Sequence, residues 1–333
     1  MQKDGPSEAG PFHELEAEMH GAVAFALAIS ASVLVLGPAS AQRAPTTGSA
    51  STAAPVAAPA PTDIPALIPA QNTPAPKCTN PNALGVSRTV EIDTNGGPGF
   101  GFEHFKQHDF LRNNEVLLTF DDGPWPTTPL VLKALADECV RATFFSIGKH
   151  ATYYPEILKQ VIEGGHTVGS HTWSHADLSR KSTEEAKEEI EKGISAVSMA
   201  VGPAASPIFR FPALRHPPEA VTYLGQRNVA IWSTDMDSFD FKMRKPEQVV
   251  ASVMAKLKKH GKGIVLMHDF QQPTAHAVAD LLAQLKAGGY KIVHMKTKDS
   301  IATIKQYDDM LIKEQKLPTV SQRPTSSVVR TVE

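Results

Sequence analysis

From Glu115 onward, short apolar runs alternate with longer stretches in which apolar residues recur every three to four positions. The short runs are Val116–Phe120, Ala142–Ile147, His166–Gly169, Ile208–Phe211, Val229–Ser233, Ile264–Met267 and Lys291–Met295. They are rich in Val, Ile and Phe and bounded by turn residues, which predicts strands. The longer stretches, Pro129–Glu138, Pro155–Glu163, Thr183–Val201, Pro218–Arg227, Pro246–His260 and Ala275–Ala287, carry a stripe of helical period. Proline stands near the start of several, where a missing N–H costs nothing. Such a strand–helix rhythm predicts an α/β fold with a parallel sheet covered by helices. About seven parallel strands make a distorted or incomplete (β/α) barrel the expected architecture. An open, doubly wound sheet is the alternative. The charged run Glu184–Lys192 fits a solvated helix face on which Glu188 and Lys192 attract one another.

The front of the chain lacks this rhythm. Gly21 to Gly37 is uncharged and apolar, and Pro38 then leads into Ala39-Ser40-Ala41, a small-x-small pattern fitting signal-peptidase cleavage. Residues 1–41 are therefore expected to be a signal peptide or N-terminal leader, with an uncleaved anchor as the rival. The acids at Asp4, Glu8, Glu14, Glu16 and Glu18 run against the basic start such a leader normally has. Residues 43 to 76 are more than half Ala and Pro, with only Arg43 and Asp63 charged. A segment with so little to bury is expected to be a disordered linker, placed at 42–77. The catalytic domain, with an N-terminal extension, is expected at 78–307 and a C-terminal tail at 308–333.

Composition narrows the partners. A net charge of -2 and 20% charged residues give no basic field for nucleic acid. No stable membrane insertion is expected once the leader is cleaved, and a secreted or periplasmic monomer is the expectation. The chain has two cysteines, Cys78 and Cys139. In an exported protein an even pair reads as a disulfide, with two unrelated buried thiols as the alternative.

Candidate chemistry gathers where the strands end, which is where barrel enzymes carry their active sites. The first strand runs into Thr119-Phe120-Asp121-Asp122-Gly123-Pro124. Two adjacent carboxylates after a buried strand repel and resist desolvation, a cost that a bound cation removes. The third strand is followed by His171-Thr172-Trp173-Ser174-His175, a spacing that lets both imidazoles share one cation. With Asp122 they form a His-His-carboxylate set that leaves coordination positions open, as catalytic metal sites do. Arg210-Phe211-Pro212 follows the fourth strand. Asp235, Asp237 and Asp240 follow the fifth, and His268-Asp269 the sixth.

Taken in order, these segments resemble those of carbohydrate esterase family 4, the polysaccharide deacetylases built on a NodB homology domain. The resemblance spans roughly Glu115 to Met295. It is carried by Thr-Phe-Asp-Asp-Gly-Pro at 119–124, His-Thr-x-x-His at 171–175, Arg-x-Pro at 210–212, the Asp-rich segment ending Asp240-Phe241, and Leu266-Met267-His268-Asp269. It implies a distorted (β/α) barrel, one divalent metal ion (zinc expected, cobalt or another possible) and hydrolysis of N-acetyl groups on a polysaccharide. Peptidoglycan, chitin oligomers and exported polysaccharides are the substrate classes it implies. A catalytically weak or inactive carbohydrate-binding relative, or an acetyl-ester hydrolase, is the alternative. By resemblance, Asp122, His171 and His175 hold the metal and Asp121 is the general base, oriented by Arg210. His268 is the general acid with Asp240 as its partner, and Asp235 and Asp237 compete for that place. Pro212, Ala213, Phe241 and Leu266 are expected to meet substrate. Ala213 stands where the family usually has an aromatic residue, and Phe241 where it usually has Trp. Both departures bear on substrate shape rather than on reaction type.

Overall fold

The computed structural model describes residues 65–69 and 76–316. The strands are β1 (Ile68–Pro69), β2 (Arg88–Ile92), β3 (Gly99–Phe100), β4 (Glu115–Asp121), β5 (Thr143–Ser146), β6 (Thr167–Ser170), β7 (Ala205–Phe209), β8 (Ala230–Trp232), β9 (Met236–Asp237), β10 (Gly263–His268), β11 (Lys291–Thr297) and β12 (Asp299–Ser300). The helices are α1 (Thr128–Asp137), α2 (Gly148–Tyr153), α3 (Pro155–Glu163), α4 (Thr183–Val201), α5 (Pro218–Gln226), α6 (Pro246–His260), α7 (Gln272–Ala287) and α8 (Lys305–Lys316). The main sheet runs β2-β11-β4-β5-β6-β7-β8-β3, with β10 pairing β4 and β9, and every pairing in it is parallel. The α/β class and the parallel sheet match the sequence expectation. Among the described residues β8 does not pair with β10. The two-residue strand β9 enters there instead, aligning Met236 with Val265 and Asp237 with Leu266.

Side-chain alternation along each strand explains where the core and the site lie. Val116, Leu118 and Phe120 of β4 join the large cluster that packs on the helices, whereas Leu117 belongs to a second cluster with Phe145, Ile208, Trp232 and Ile264. Thr119 and Asp121 share the parity of Leu117. On β10, Val265 and Met267 face the large cluster, which puts Leu266 and His268 on the face of Ile264. Ile208 and Phe209 divide the same way, so Arg210 turns inward. The register aligns His268 with Asp121 across the β4–β10 pair.

Four details differ from the sequence reading. The fourth strand is Ala205–Phe209 rather than Ile208–Phe211. Pro207 has no N–H to give the ladder, and the register with β6 shifts there. The far end of the charged run is not solvated. Glu191 is fully buried and accepts from Arg227 Nε at 2.7 Å and Tyr223 Oη at 2.8 Å. Buried Lys192 bonds Glu314 at 2.7 Å and lies 3.7 Å from Glu188, the attraction expected from the spacing. Helix α8 therefore packs on α4, with Leu311 buried, and the fold continues past residue 307. Within the segment read as a disordered linker, Ile68 and Pro69 pair antiparallel with β12, helped by half-buried Leu67. The rest of that segment up to residue 64, and the apolar run Gly21 to Gly37, lie outside the described residues. No helix among the described residues is long and apolar enough to cross a membrane.

Cys78 and Cys139 form a disulfide with Cα atoms 5.5 Å apart, as expected from the even pair. It ties the start of the domain to the end of α1.

Candidate active site and metal centre

Asp122 leaves the end of β4 in a left-handed conformation, φ 74°. Thr172 and His175 do the same after β6, at 66° and 59°. Left-handed backbone costs a non-glycine residue roughly 1–2 kcal/mol, and such strain collects at functional sites. Its effect here is to converge three side chains. One ligand atom from each of Asp122, His171 and His175 lies within 4.8 Å of the others. Asp122 Oδ1 is 3.5 Å from His171 Nε2 and 3.4 Å from His175 Nε2.

The donor chemistry fits a cation. His171 Nδ1 donates to the Arg210 carbonyl at 2.6 Å, so its Nε2 presents a lone pair. Burial drives its pKa down to about 3, which keeps the ring neutral near pH 7. Asp122 Oδ1 is buried without a hydrogen-bond donor. Lone pairs facing a carboxylate oxygen repel, and a divalent ion between them reverses the sign of that interaction. His150 Nδ1 donates to the Asp122 carbonyl at 2.6 Å and steadies the turn from behind.

Asp121, beside it, is almost wholly buried and sits in a different environment. Arg210 Nη1 donates to its Oδ1 and to Thr119 Oγ1, both at 2.7 Å. Arg210 is itself fully buried; Nη2 reaches the Ser233 carbonyl at 2.8 Å and the guanidinium lies 4.3 Å over the Phe145 ring. Burial raises the Asp121 pKa, and the Arg210 charge works against that rise.

Across the ladder, His268 Nδ1 donates to Asp240 Oδ1 at 2.6 Å. Asp240 Oδ2 accepts from the His268 N–H at 2.7 Å and from Thr274 Oγ1 at 2.6 Å. Burial alone would lower the His268 pKa. The Asp240 hydrogen bond and charge, with Asp122 and Asp121 nearby, outweigh it and push the value up to about 9. The geometry separates Asp240 from its two competitors. Asp235 accepts from the N–H groups of Phe102 and Ile264, and Asp237 from that of Phe239.

Asp121, His171, His175, Ala213, Phe241, Leu266 and His268 line one recess of about 230 Å³. Ala213 adopts φ 51° in the turn after Arg210-Phe211-Pro212 and is exposed. Pro212 is buried and does not line the recess; Phe211 and Leu214 do. The sequence reading missed Glu103, which also lines it. Glu103 lies between β3 and β4 in an irregular segment with no local pattern to flag it. The sequence reading named Asp269 within a motif but gave it no role; that residue is fully buried under the Gly123 turn, and its Oδ2 accepts from Thr128 Oγ1 at 2.5 Å. Burial pushes its pKa up to about 7.

Residues 111–231 match the family model described as polysaccharide deacetylase. Over 199 residues the chain is 30% identical to a chitooligosaccharide deacetylase of Bradyrhizobium sp., a match covering 55% of this chain and 90% of that one. The chain belongs to the polysaccharide deacetylase family. It is also 36% identical over 187 residues to the peptidoglycan-N-acetylglucosamine deacetylase PgdA of Listeria monocytogenes, covering 54% of this chain. The match takes in only 38% of that relative, so the chain spans about two fifths of its length. Among solved structures it is similar to the Bdellovibrio bacteriovorus peptidoglycan deacetylase Bd3279. That match has a TM-score of 0.60 and 30% identity, covering 70% of this chain and 65% of the other. The family resemblance drawn from the motifs is borne out, and with it the expectation of a distorted (β/α) barrel.

Proposed function

We propose that the protein hydrolyses N-acetyl groups on an amino-sugar polysaccharide, releasing acetate, with one divalent metal ion held by Asp122, His171 and His175. The observation that carries this reading is the gathering, around one recess, of two histidines of the ligand triad, an Arg-paired carboxylate and an Asp-paired imidazole, with Asp122 beside the two histidines. When bound, the cation, zinc being the expected one, supplies Lewis acidity for the acetyl carbonyl.

The chain's own residues supply the proton transfers. Arg210 occupies Oδ1 of Asp121, leaving Oδ2 to take the proton of a water attacking the carbonyl carbon. The Arg210 charge favours the ionised form of that carboxylate and opposes the rise that burial causes. As the C–N bond breaks, His268 Nε2 gives its proton to the departing sugar nitrogen, so that acetate and a free amine leave. Asp240 holds the proton-bearing ring in place through Nδ1. The backbone N–H of Ala213 is assigned to the developing oxyanion. Leu266 and Phe241 are assigned to the acetyl methyl; Leu266 is buried, and the Phe241 ring lies 5.8 Å from that of His268. A secreted or periplasmic setting is part of the proposal, supported by the leader pattern and by the disulfide.

The test is acetate release from a panel of acetylated polymers, with and without a chelator, alongside metal analysis. Asp122→Asn, His171→Ala and His175→Ala should each lower metal content. Asp121→Asn should keep the metal yet lose on the order of 10²–10⁴ in kcat. Full activity in excess chelator, with metal absence verified, overturns the site. An Asp121→Asn protein that has lost its metal overturns the division of roles between the two aspartates.

A further inference from the structure

A second recess, about 530 Å³, opens on the other side of the proposed metal centre. Its lining includes Lys149, His150, Tyr153 and Phe270, and it shares His175 with the acetyl recess. Asp122 also borders it, so the two hollows meet at the ligand triad. A polymer that continues from the first recess past the shared His175 meets the second.

The two hollows differ in charge. The acetyl recess carries Glu103 and Asp237 in addition to Asp121. Lys242 packs over the rings of Phe239 and Phe241 and does not line it. Besides the ligand carboxylate Asp122, whose charge the bound cation would offset, the second recess carries Lys149, half-buried on α2, with Trp173 5.9 Å from its ammonium group. No carboxylate among the described residues pairs with Lys149. Glu189, on the α4 helix that packs against α2, is engaged with the Ser174 N–H and hydroxyl. Tyr153, 63% exposed, offers a ring with little packed against it, the kind of apolar face on which a sugar ring stacks.

We infer that this second recess is a binding subsite for a neighbouring sugar unit that carries a carboxylate, with Lys149 as the anion contact and Tyr153 as the stacking platform. The inference rests on the deacetylase reading for the identity of the polymer. It sets the direction of binding. The anionic unit lies on the Lys149 side, away from Glu103 and Asp237, which would repel it. A carboxylate within reach of a half-buried, otherwise unpaired ammonium gains a charge-assisted hydrogen bond. Partial exposure limits that gain and makes it sensitive to salt.

The experiment compares soluble peptidoglycan glycan strands, in which alternate units bear a lactyl carboxylate, with the same strands after those carboxylates are amidated. Binding is measured by calorimetry on the metal-loaded Asp121→Asn protein, in which turnover is held back and into which the further substitutions are placed, and acetate release is followed separately with the native chain. This reference protein, with Lys149 and Tyr153 intact, should bind the carboxylated strand about 3- to 10-fold more tightly than the amidated one, with the preference shrinking at high salt. Lys149→Gln should abolish the preference, Lys149→Arg should retain it, and Tyr153→Ala should weaken both strands alike. Equal affinity of the reference protein for the two strands overturns the inference, as does a preference that survives Lys149→Gln. Because binding is read without turnover, a protein that releases no acetate but still discriminates the strands would refute the deacetylase reading alone.

Discussion

Replacing Arg210 by methionine separates the electrostatics of the site from its metal chemistry. The guanidinium is fully buried, and so is nearly all of the Asp121 side chain. Removing one partner of such a pair strands the other charge, at a cost of roughly 3–5 kcal/mol. The carbonyls of Ser233 and Trp232 also lose their donors. Asp121 can escape only by taking up a proton, a direction in which burial already pushes it. A protonated Asp121 cannot accept the proton of an attacking water. We therefore expect Arg210→Met to unfold about 3–5 kcal/mol more easily in urea and to lose on the order of 10²–10⁴ in kcat. Metal content should persist, because His171 bonds the backbone of residue 210 and not its side chain. The double variant Asp121→Asn/Arg210→Met has no buried charge left to strand. It should be more stable than the sum of the two single losses by roughly 1–3 kcal/mol, yet equally inactive. Strict additivity, or an Arg210→Met protein within tenfold of native kcat, would refute this reasoning.

Three further outcomes are expected. Replacing both Cys78 and Cys139 by serine opens a loop of sequence separation 61 and should cost about 2–4 kcal/mol by denaturant titration; an unchanged midpoint with unchanged slope speaks against it. Ala213 already occupies left-handed backbone, so Ala213→Tyr adds a ring without new strain. It should shift KM for short oligomers more than kcat, and a large kcat change at constant KM would mean the position shapes the transition state. Burial holds His294 at a pKa of about 3, against about 6.5 in the unfolded chain. The unfolded state therefore binds that proton first, and stability falls as pH drops from about 6.5 toward 3, by roughly 1.4 kcal/mol per unit for each such histidine. His294→Gln should flatten the acid side of a urea-midpoint profile, and a slope identical to the native one would count against this account.

Most of the barrel was legible because its signals are local. Helices Pro155–Glu163, Thr183–Val201 and Pro246–His260 have the same bounds in sequence and structure, since the stripe period, with a leading proline in the first and third, is a local signal. Strand ends bearing Asp121, His171, Arg210 and His268 were legible too, because barrel enzymes carry their chemistry where the strands end and each of these residues stands at such an end. Pairings between distant segments left no such trace. Glu191 looked like one more charge on a solvated helix face until Arg227 and Tyr223, from α5 and its end, closed over it. Leu311 needed α4 beside it before α8 could be seen as part of the fold rather than as tail. Asp235, Asp237 and Asp240 are equivalent candidates along the chain. Only the β9–β10 register, with Asp237 opposite Leu266, sets which of them reaches His268. The same holds for the recess beside Lys149. Its walls come from the ends of β4, β5, β6 and β10, and charge complementarity between such segments exists only once the sheet has brought them together.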